Sequence, residues 1–398
     1  MDLFEKNAIL SGVGISRIGR RTEIPGVELT LEAVHAAVAD AGLRNSDIDG
    51  IATLGDTPAE VVSSALGIQP SDCGFGFDTG GLLTPVMSAC LAVAEKRARQ
   101  VLVYRTVQMI GGTVPTSPQQ ADTPRPALAR IVDAPADGPR PVVGPMDDIT
   151  DLIAAHAYSA ANWLALNCRR HMELYGTTKE QLGWLAINSR RNAALNPLAV
   201  YREPMTMTDY LAARPVSSPF GLFDCDVPVD GSIALVVSAA DYARDCPHRP
   251  VAVEAIGGSN GSGGWFHRPD YPKMASADAA AQMWSRSELK PADLDLAELY
   301  DGFTFLTLAW LEALGICADG EAGPFVEGAT RIALDGTLPL NTYGGQLSAG
   351  RMHGYWLLHE ACLQLRGEAG PRQVPRRPEV AVAAVGGGPI AGCMLLTC

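Results

Sequence analysis

Two tyrosines stand where the chain is predicted to leave a strand or to enter a helix, and such positions favour a cleft over a core. Tyr300 ends a probable strand in AELYDGFT, and the Asp-Gly pair after it is typical of a turn into a helix. Tyr343 directly precedes a glycine pair in NTYGGQLSAGRMHG. A phenol can donate or accept a proton in catalysis. Because an unperturbed phenol has a pKa of about 10, a phenol that acts as a base needs a cation nearby. Arg351 is the nearest candidate in sequence.

Other candidates are binding groups. A run of three glycines could turn backbone N–H groups toward a developing oxyanion, or could form a tight turn between two strands. His353 is predicted either to act in the site or to cap a helix. Arg351 either contacts the site or pairs with a carboxylate on its own helix. The candidate substrate-binding glycines are Gly386, Gly387 and Gly388, together with the pair Gly344 and Gly345.

Composition excludes several classes of protein. The net charge is −13 and Lys and Arg do not cluster, which argues against a nucleic-acid-binding surface. Nine cysteines are scattered without CxxC spacing and the seven histidines are sparse, so neither a metal site nor a disulfide framework is expected. No apolar run approaches the roughly 20 residues that span a bilayer, and the N-terminus lacks the order of a signal peptide. These features predict a cytoplasmic, globular protein that acts on a small molecule without a metal or cofactor.

The elements that must position these residues alternate between strand and helix. Strands of the first half are predicted near 8–18, 50–54, 101–106 and 232–238, and helices near 30–41 and 82–98. The Pro- and Gly-rich stretch 108–146 and the helical stretch 148–196 indicate a loop domain inserted at about 107–215. The sequence GGSNGSGG at 257–264 is predicted to be a flexible loop.

The second half of the chain repeats the first, which is visible without any other sequence. AGLRNSDIDGIATL matches SELKPADLDLAELY at one constant offset, which pairs Leu43 with Leu289 and Asp49 with Asp295. A second echo pairs DTGG with NTYGG, each ahead of a helix that contains Ala-Cys. Two similar α/β halves, 1–246 and 247–398, are therefore predicted to pack together, with DTGG facing NTYGG beyond the strand ends.

These motifs resemble the thiolase superfamily, and within it the lipid-transfer-protein branch related to the sterol-carrier-protein (SCP2) thiolases. AELYDGFT is similar to the HDCF block of that branch, NTYGGQLSAGRMHG to the block with paired glycines before a His-Pro, and AVGGGPIAG to the final cysteine-and-glycine block. The resemblance covers nearly the whole chain. It implies an α/β, thiolase-type duplicated fold, with two α/β halves packed in a layered αβαβα arrangement and a loop domain inserted in the first half.

The residues that thiolase chemistry requires are missing from these blocks. Residues 79–82 occupy the neighbourhood where the family's nucleophilic cysteine opens a helix, with Cys73 before it and Cys90 inside the helix. The family's histidine falls on Arg351 and its second cysteine on Ala384. Claisen condensation therefore lacks both its thiolate and its base.

The tyrosine pair instead resembles the steroid side-chain-cleaving aldolases, which split a β-hydroxyacyl-CoA side chain by a retro-aldol reaction. The resemblance implies Tyr300 and Tyr343 as catalytic residues, with a ketosteroid and a short acyl-CoA such as propionyl-CoA as products of cholesterol or bile acid catabolism. It also implies a homodimer and a complex with a small OB-fold, zinc-ribbon protein of the DUF35 type. Two alternatives stay open: a non-catalytic acyl-CoA- or sterol-binding subunit, and a thiolase with an atypical nucleophile.

Overall fold

Strands and helices alternate in both halves of the computed structural model, which describes residues 3–54, 56–70, 72–75, 81–108, 148–259 and 264–398, with 72–75 as backbone. The strands are β1 Ala8–Ile15, β2 Gly50–Thr53, β3 Asp72–Phe75, β4 Gln100–Gln108, β5 Pro215–Ser217, β6 Phe220–Gly221, β7 Asp230–Ala239, β8 Val251–Ser259, β9 Leu296–Leu299, β10 Val380–Gly387 and β11 Ile390–Thr397. The helices are α1 Gly26–Asp40, α2 Ala59–Leu66, α3 Thr84–Ala94, α4 Ile149–Ala154, α5 Ala160–Tyr175, α6 Lys179–Ala193, α7 Met207–Leu211, α8 Ala275–Trp284, α9 Thr304–Ala313, α10 Ala322–Val326 and α11 Tyr355–Arg366.

Nine of these strands form one hydrogen-bonded sheet in the order β3-β2-β4-β7-β1-β8-β11-β10-β9. Strand β2 runs parallel to β3 and β4, and β9 runs parallel to β10, whereas the other neighbours are antiparallel. The two halves meet where β1 pairs with β8, at Ile9 with Ala252 and Leu10 with Val251. The first half therefore forms one part of the sheet, up to β1, and the second half forms the other part, from β8. The two parts join through these two residue pairs.

Three hydrophobic clusters define three layers of helices. Alternate residues of β4 face opposite sides: Val101 and Val103 pack in the central cluster with α3 and α11, whereas Leu102 and Tyr104 pack with α1 and α2. In the second half, Val382 of β10 packs with α8 and α9 in the third cluster. The order helix, sheet, helix, sheet, helix is the αβαβα arrangement that the sequence predicts.

The duplication in the sequence is present in the structure at the same residues. In each half a short 3-10 turn, Asn45–Asp47 or Pro291–Asp293, leads into a strand. Asp49 accepts hydrogen bonds from backbone N–H groups at the start of β4, and Asp295 accepts them at the start of β10. In both halves the aspartate therefore ties one strand to its parallel neighbour.

Helices α4 to α7 and the β5–β6 hairpin lie in the segment predicted as an inserted loop domain, whose boundaries remain a prediction. The flexible-loop prediction for 257–264 is wrong in part, because Gly257 and its two successors complete β8 and pair with β11; residues 260–263 lie outside the described residues. A Cβ on Gly257 would lie 2.0 Å from the carbonyl oxygen of Ala279, so this glycine permits close packing of β8 on α8. None of the helices in the described ranges combines the length and apolarity that a bilayer crossing requires.

Candidate active site

The segment that carries Tyr343 is fastened to the strand that leads into Tyr300. The Asn341 side chain accepts a hydrogen bond from the Leu299 backbone N–H at 2.7 Å and donates one to the Leu299 carbonyl at 2.9 Å. Asn341 has a left-handed φ of 48°, which asparagine tolerates better than most residues. We call this two-way bond the Asn341 clasp. It holds the two segments together within two residues of each tyrosine.

Tyr300 leaves β9 beside the end of β10. Its backbone N–H donates to the Ala384 carbonyl at 2.8 Å, so Tyr300 lies next to the position where the thiolase resemblance places a cysteine. Burial raises the pKa of the Tyr300 phenol, the Asp226 carboxylate raises this pKa further, and Arg351 lowers it by a smaller amount. Tyr300 is therefore protonated at neutral pH.

Tyr343 is fully buried and its ring stacks on Trp356, with ring centroids 5.0 Å apart and planes at 25°. The Asn196 side chain donates a hydrogen bond to the Tyr343 carbonyl at 2.8 Å. The Tyr343 hydroxyl has no hydrogen-bond partner among the described residues. Burial, followed by the charge of Asp301, raises the pKa of this phenol well above its usual value. Because an unpaired buried hydroxyl costs free energy, this oxygen is a place where a substrate group is expected to bind.

The two phenols share one electrostatic environment. Asp301 raises the pKa of both, and a charge on Tyr300 would raise the pKa of Tyr343. The expectation that Arg351 lowers the pKa of one tyrosine enough to make it a base is therefore wrong in this structure. Burial and the nearby carboxylates raise the pKa of the phenols by more than the guanidinium of Arg351 lowers it. Both phenols are therefore protonated before substrate reacts and can donate a proton.

Arg351 joins the two halves of the chain. Its Nη1 lies 3.2 Å from Oδ1 and 3.2 Å from Oδ2 of Asp226, and its backbone N–H donates to the Val227 carbonyl at 2.8 Å. The alternative that Arg351 pairs with a carboxylate on its own helix is wrong, because Asp226 precedes β7 in the first half. Burial raises the pKa of Asp226 to about 6, although Arg351 opposes the change.

Asp301 is a site residue that the sequence did not reveal. Its carboxylate accepts backbone N–H bonds from Gln346 at 2.8 Å and Leu347 at 3.3 Å, at the start of the π-helical turn Gly345–Ala349. Burial raises the pKa of Asp301 to about 7, and these backbone bonds lower it by less. Asp301 can therefore change protonation near neutral pH, directly after Tyr300 in the chain and bonded to the turn that follows Tyr343. The sequence feature that could have indicated Asp301 as a site residue is its position directly after Tyr300, in the predicted turn.

A pair of buried carboxyl groups adjoins Tyr343 through its neighbour Thr342. Thr342 Oγ1 lies 2.7 Å from Glu298 Oε1 and 3.0 Å from Glu360 Oε1. Arg372 binds Glu360 through two hydrogen bonds of 3.0 and 2.9 Å. Burial and then repulsion by Glu360 raise the pKa of Glu298 well above its usual value, which favours the protonated form of this carboxyl group. This network, which the sequence did not reveal, fixes the backbone directly before Tyr343.

The structure gives Gly344 and Gly345 packing roles. A Cβ on Gly344 would lie 2.5 Å from Ala193 Cβ, and one on Gly345 would lie 1.9 Å from Asp301 Oδ2. Both glycines have left-handed φ values, of 106° and 63°. Their contact with a substrate stays a prediction.

The glycine run after Val385 forms the end of β10 and the turn into β11. This confirms the prediction of a tight turn between two strands. The Gly388 N–H donates to Met274 Sδ at 3.0 Å, and the Gly386 carbonyl accepts from Trp310 Nε1 at 3.0 Å. Because its N–H is engaged, Gly388 is a poor oxyanion donor. Gly386 and Gly387 are half-buried and stay candidates.

His353 is held by an arginine from the first half. Its Nδ1 lies 2.6 Å from Nη2 of Arg105, and its φ of 50° is left-handed. The helix-cap alternative is wrong, because the N-cap of α11 is Gly354 and not His353. Burial, and then the charges of Arg105 and Arg351, lower the pKa of His353 well below its usual value. The imidazole is therefore neutral at neutral pH.

The predicted facing of DTGG and NTYGG falls on residues 78–80, which lie outside the described residues. A Cβ on Gly81, the last residue of DTGG, would lie 2.5 Å from Ile390 Cγ2, at the start of β11. Cys90 is fully buried in α3, and burial raises the pKa of its thiol to about 12, so it is no thiolate. The side chain of Cys73 lies outside the described residues.

Known proteins resemble this chain over its full length. Residues 257–395 match the family model for a thiolase C-terminal domain-like unit. The chain is 33% identical to the steroid side-chain-cleaving aldolase of Thermomonospora curvata over 99% of both proteins. It is 34% identical to the 17-hydroxy-3-oxo-4-pregnene-20-carboxyl-CoA lyase of Mycobacterium tuberculosis over 98% of both. The solved structure of an Ltp2-ChsH2(DUF35) aldolase is 30% identical, with a TM-score of 0.85 over 99% of this chain and 98% of that one.

Proposed function

Since the chain belongs to the steroid side-chain-cleaving aldolases of the thiolase superfamily, we propose that Tyr300 and Tyr343 carry out retro-aldol cleavage of a steroid β-hydroxyacyl-CoA. This membership confirms the predicted fold class and the predicted reaction class, a carbon–carbon lyase on steroid CoA thioesters. The proposal adds the residues that act and the products, a ketosteroid and a short acyl-CoA such as propionyl-CoA.

A retro-aldol cleavage moves protons and electron pairs without an oxidant. A base takes the proton of the β-hydroxyl, the oxygen pair forms the ketone, and the Cα–Cβ pair passes to the thioester as an enolate. The enolate carbon then takes a proton from an acid. The enzyme must therefore supply a proton acceptor near the hydroxyl, donors for the enolate oxygen and a proton donor near Cα.

Tyr300 serves as a relay for the first proton. Because the Tyr300 phenol is protonated, it can accept the β-hydroxyl proton only as its own proton leaves to a neighbouring carboxylate. Asp226 and Asp301, with pKa values raised to about 6 and about 7, are suited to receive it. Tyr343 donates its proton to the enolate carbon and regains one from Asp301, whose carboxylate binds the backbone N–H groups of Gln346 and Leu347 in the turn that follows Tyr343.

The observation that carries the proposal is the buried Tyr343 hydroxyl, which lacks a partner in the described part of the chain. An orphaned polar atom of this kind is uncommon in folded proteins. The hydroxyl of Tyr355 also lacks a partner among the described residues, but Tyr343 is the one that the Asn341 clasp fastens to the strand end at Tyr300. The Asn341 clasp and the shared carboxylate keep this hydroxyl beside the group that contains Tyr300. A core tyrosine with a purely structural role would gain from a hydrogen-bond partner, and Phe would serve better in its place.

The test is a cleavage assay with steroid β-hydroxyacyl-CoA thioesters, in which both the ketosteroid and the acyl-CoA are quantified. Tyr343→Phe is expected to lower kcat by about 100-fold or more, as the loss of a proton donor does. Its affinity for the thioester that lacks the β-hydroxyl, and so cannot be cleaved, is expected to stay within about threefold of the wild type, because the phenol acts on the reacting atoms.

Tyr242→Phe is the matched control. Its hydroxyl donates to the Ala41 carbonyl at 2.9 Å, in the first half and apart from the cluster around Tyr300. This variant loses the same phenol hydroxyl, together with a hydrogen bond that Tyr343 does not make within the described residues, but is expected to keep the wild-type kcat. Equal losses in the Tyr242 and Tyr343 variants would show that stability, and not chemistry, explains the effect.

The two alternatives make different predictions. A non-catalytic binding subunit would bind the thioester tightly and cleave none, so wild-type turnover excludes it. A thiolase with an atypical nucleophile would form acetyl-CoA from a β-ketoacyl-CoA and free CoA, through a cysteine thiolate. The raised pKa of Cys90, about 12, gives no support for Cys90 in that role.

A small OB-fold, zinc-ribbon partner is part of the proposal, because the solved relative is named as an aldolase with ChsH2(DUF35). We expect cleavage to rise when a protein of this type is added to the chain. Rates with and without it, on thioesters of a sterol and of a bile acid, would define both the partner and the steroid class. Homodimerisation stays a prediction to be measured by light scattering.

A further inference from the structure

Arg105 connects the first half of the chain to His353. The arginine lies on β4 and is 9% exposed. Its Nη1 forms an ion pair with Asp56, and its Nη2 lies 2.6 Å from His353 Nδ1. These partners are 248 residues apart in sequence, so the contact exists only when the two halves are packed.

The contact fixes which nitrogen of His353 carries the proton. A guanidinium donates hydrogen bonds and does not accept them, so Nδ1 must be the acceptor and carry no proton. The ring is neutral because burial and the nearby arginines lower its pKa, and its one proton therefore sits on Nε2. His353 thus presents a single fixed donor, Nε2–H, and not a mixture of tautomers.

His353 belongs to the same polar cluster as Tyr300. Arg351, two residues before His353, binds the Asp226 carboxylate, and the Asp226 N–H donates to the carbonyl of Gly302 at 3.1 Å, two residues after Tyr300. The charges of Arg105 and Arg351 also lower the pKa of the Tyr300 phenol, which burial raises. The left-handed φ of His353 is a conformation that few residues adopt and that often marks a functional position. The charged groups near the His353 ring are Arg105 and Arg351. The groups near Arg105 also include Asp56, Tyr300 and Tyr355.

We infer that Arg105, anchored by Asp56, is a positioning residue that holds the Nε2–H of His353 as a donor to the thioester oxygen during cleavage. This inference rests on the proposed function. His353 thereby supplies a side-chain donor for the enolate oxygen. The backbone N–H of Gly388 is unsuited to this role because it already donates to the sulfur of Met274. Tyr300 and Tyr343 move the protons, and His353 stabilises the charge.

The first measurement does not depend on catalysis. Nuclear magnetic resonance of the full chain with ¹⁵N-labelled histidine reports the tautomer of each ring, and His353→Gln identifies the signals of His353. The wild type is expected to show a protonated Nε2 and a bare Nδ1, unchanged from pH 6 to pH 8.5. Arg105→Met is expected to give a tautomer mixture and a higher His353 pKa, since a neighbouring positive charge is removed.

The second measurement is the pH profile of cleavage. Arg105→Met is expected to lower kcat by about 10-fold or more near pH 8, because the His353 ring loses its fixed position and tautomer, with KM within about threefold. Part of this loss should be recovered as the pH falls through the raised His353 pKa, because an imidazolium again carries a proton on Nε2. Arg105→Lys, which keeps a donor for Nδ1, is expected to recover part of this loss. His353→Gln places an amide N–H near the Nε2 position and is expected to be faster than His353→Asn.

Arg286→Met is the matched control, since Arg286 also forms a buried ion pair, with Glu5, and its side chain is 12% exposed against 11% for Arg105. It is expected to leave both the His353 tautomer and the pH profile unchanged. If Arg105→Met does not fold, Asp56→Asn removes the anchor and gives the same readouts.

A wild-type His353 with its proton on Nδ1 would overturn the inference, as would an Arg105→Met variant with the wild-type tautomer and pH profile. A wild type with the expected tautomer and no cleavage of any steroid thioester would overturn the proposed function and the donor's role in it. That last result would still support the fixed tautomer, so the two failures can be told apart.

Discussion

Removal of the Asn341 clasp is expected to weaken both the fold and the catalysis while leaving both tyrosines in place. Asn341→Ala leaves the Leu299 N–H and carbonyl, bonded to Asn341 at 2.7 and 2.9 Å, without this partner in a fully buried setting. Each unsatisfied group costs about 1 to 3 kcal/mol. Alanine at a left-handed φ of 48° adds about 1 kcal/mol. The free energy of unfolding should therefore fall by about 3 to 7 kcal/mol.

The effect on activity follows from the geometry. The clasp sets the position of Tyr343 relative to Tyr300, and a misplacement of about 1 Å can lower a rate by about 100-fold. We expect kcat to fall by about 10- to 100-fold under conditions where the variant is folded. Urea denaturation gives the stability, and steady-state cleavage of a steroid β-hydroxyacyl-CoA gives kcat.

Further variants separate the contributions. Asn341→Gly also removes both bonds but tolerates the left-handed φ, so its smaller loss of stability isolates the backbone strain. Asn167→Ala is the control, because Asn167 is buried and donates to the Pro272 carbonyl at 3.3 Å outside the site. It should lose stability and keep kcat. An Asn341→Ala variant within 1 kcal/mol of the wild type and with full kcat would refute the reasoning.

Two further predictions concern the groups around the clasp. Burial raises the pKa of Glu298 in the folded state above its unfolded value of about 4.5. The contribution of this carboxyl group to the free energy of unfolding is therefore complete below pH 4.5, and it is lost as the pH rises through the folded pKa. Glu298→Gln should therefore stabilise the protein more at pH 8 than at pH 4.5 in urea denaturation, and an equal effect at the two pH values would contradict this. Gly345→Ala should cost at least about 3 kcal/mol, because its Cβ would lie 1.9 Å from Asp301 Oδ2 at a φ of 63°. Gly367→Ala, with a similar φ and no atom within 4 Å, should cost only about 1 kcal/mol in the same assay, and equal costs would show that the clash is not real.

Local pattern was enough to predict the alternation of strands and helices and the place of Tyr300 at a strand end, whereas the layered arrangement came from the resemblance to thiolases. The expected cleft position of Tyr343 is not confirmed, because Tyr343 is fully buried in the central hydrophobic cluster. Asp49 and Asp295 occupy equivalent positions in the two halves because each carboxylate accepts hydrogen bonds from the backbone at the start of a strand in its own half. Their match in the sequence therefore indicates the duplication. Tyr300 was predicted at a strand end because the Asp-Gly after it signals a turn. The local pattern did not predict Asp301 as a site residue. Its role depends on burial and on its contact with the turn Gly345–Ala349, and neither can be inferred from neighbouring residues in the sequence.

Contacts between distant residues could not be read from the sequence. Arg351 pairs with Asp226, and Arg105 with His353, across the two halves of the chain. A prediction from neighbours on one helix therefore chose the wrong partner for Arg351. The direction of the tyrosine pKa shifts was also wrong, because burial, which spacing does not report, outweighs the nearby cations.

The central claim is that two phenols work as one proton path. A double-mutant cycle of Tyr300→Phe and Tyr343→Phe on kcat/KM for a steroid β-hydroxyacyl-CoA tests it most directly. Each single change is expected to lower kcat/KM by about 100-fold or more, and the double variant should be no more than about threefold slower than the slower single variant. Losses that multiply, or a single variant that keeps the wild-type rate, would contradict the claim.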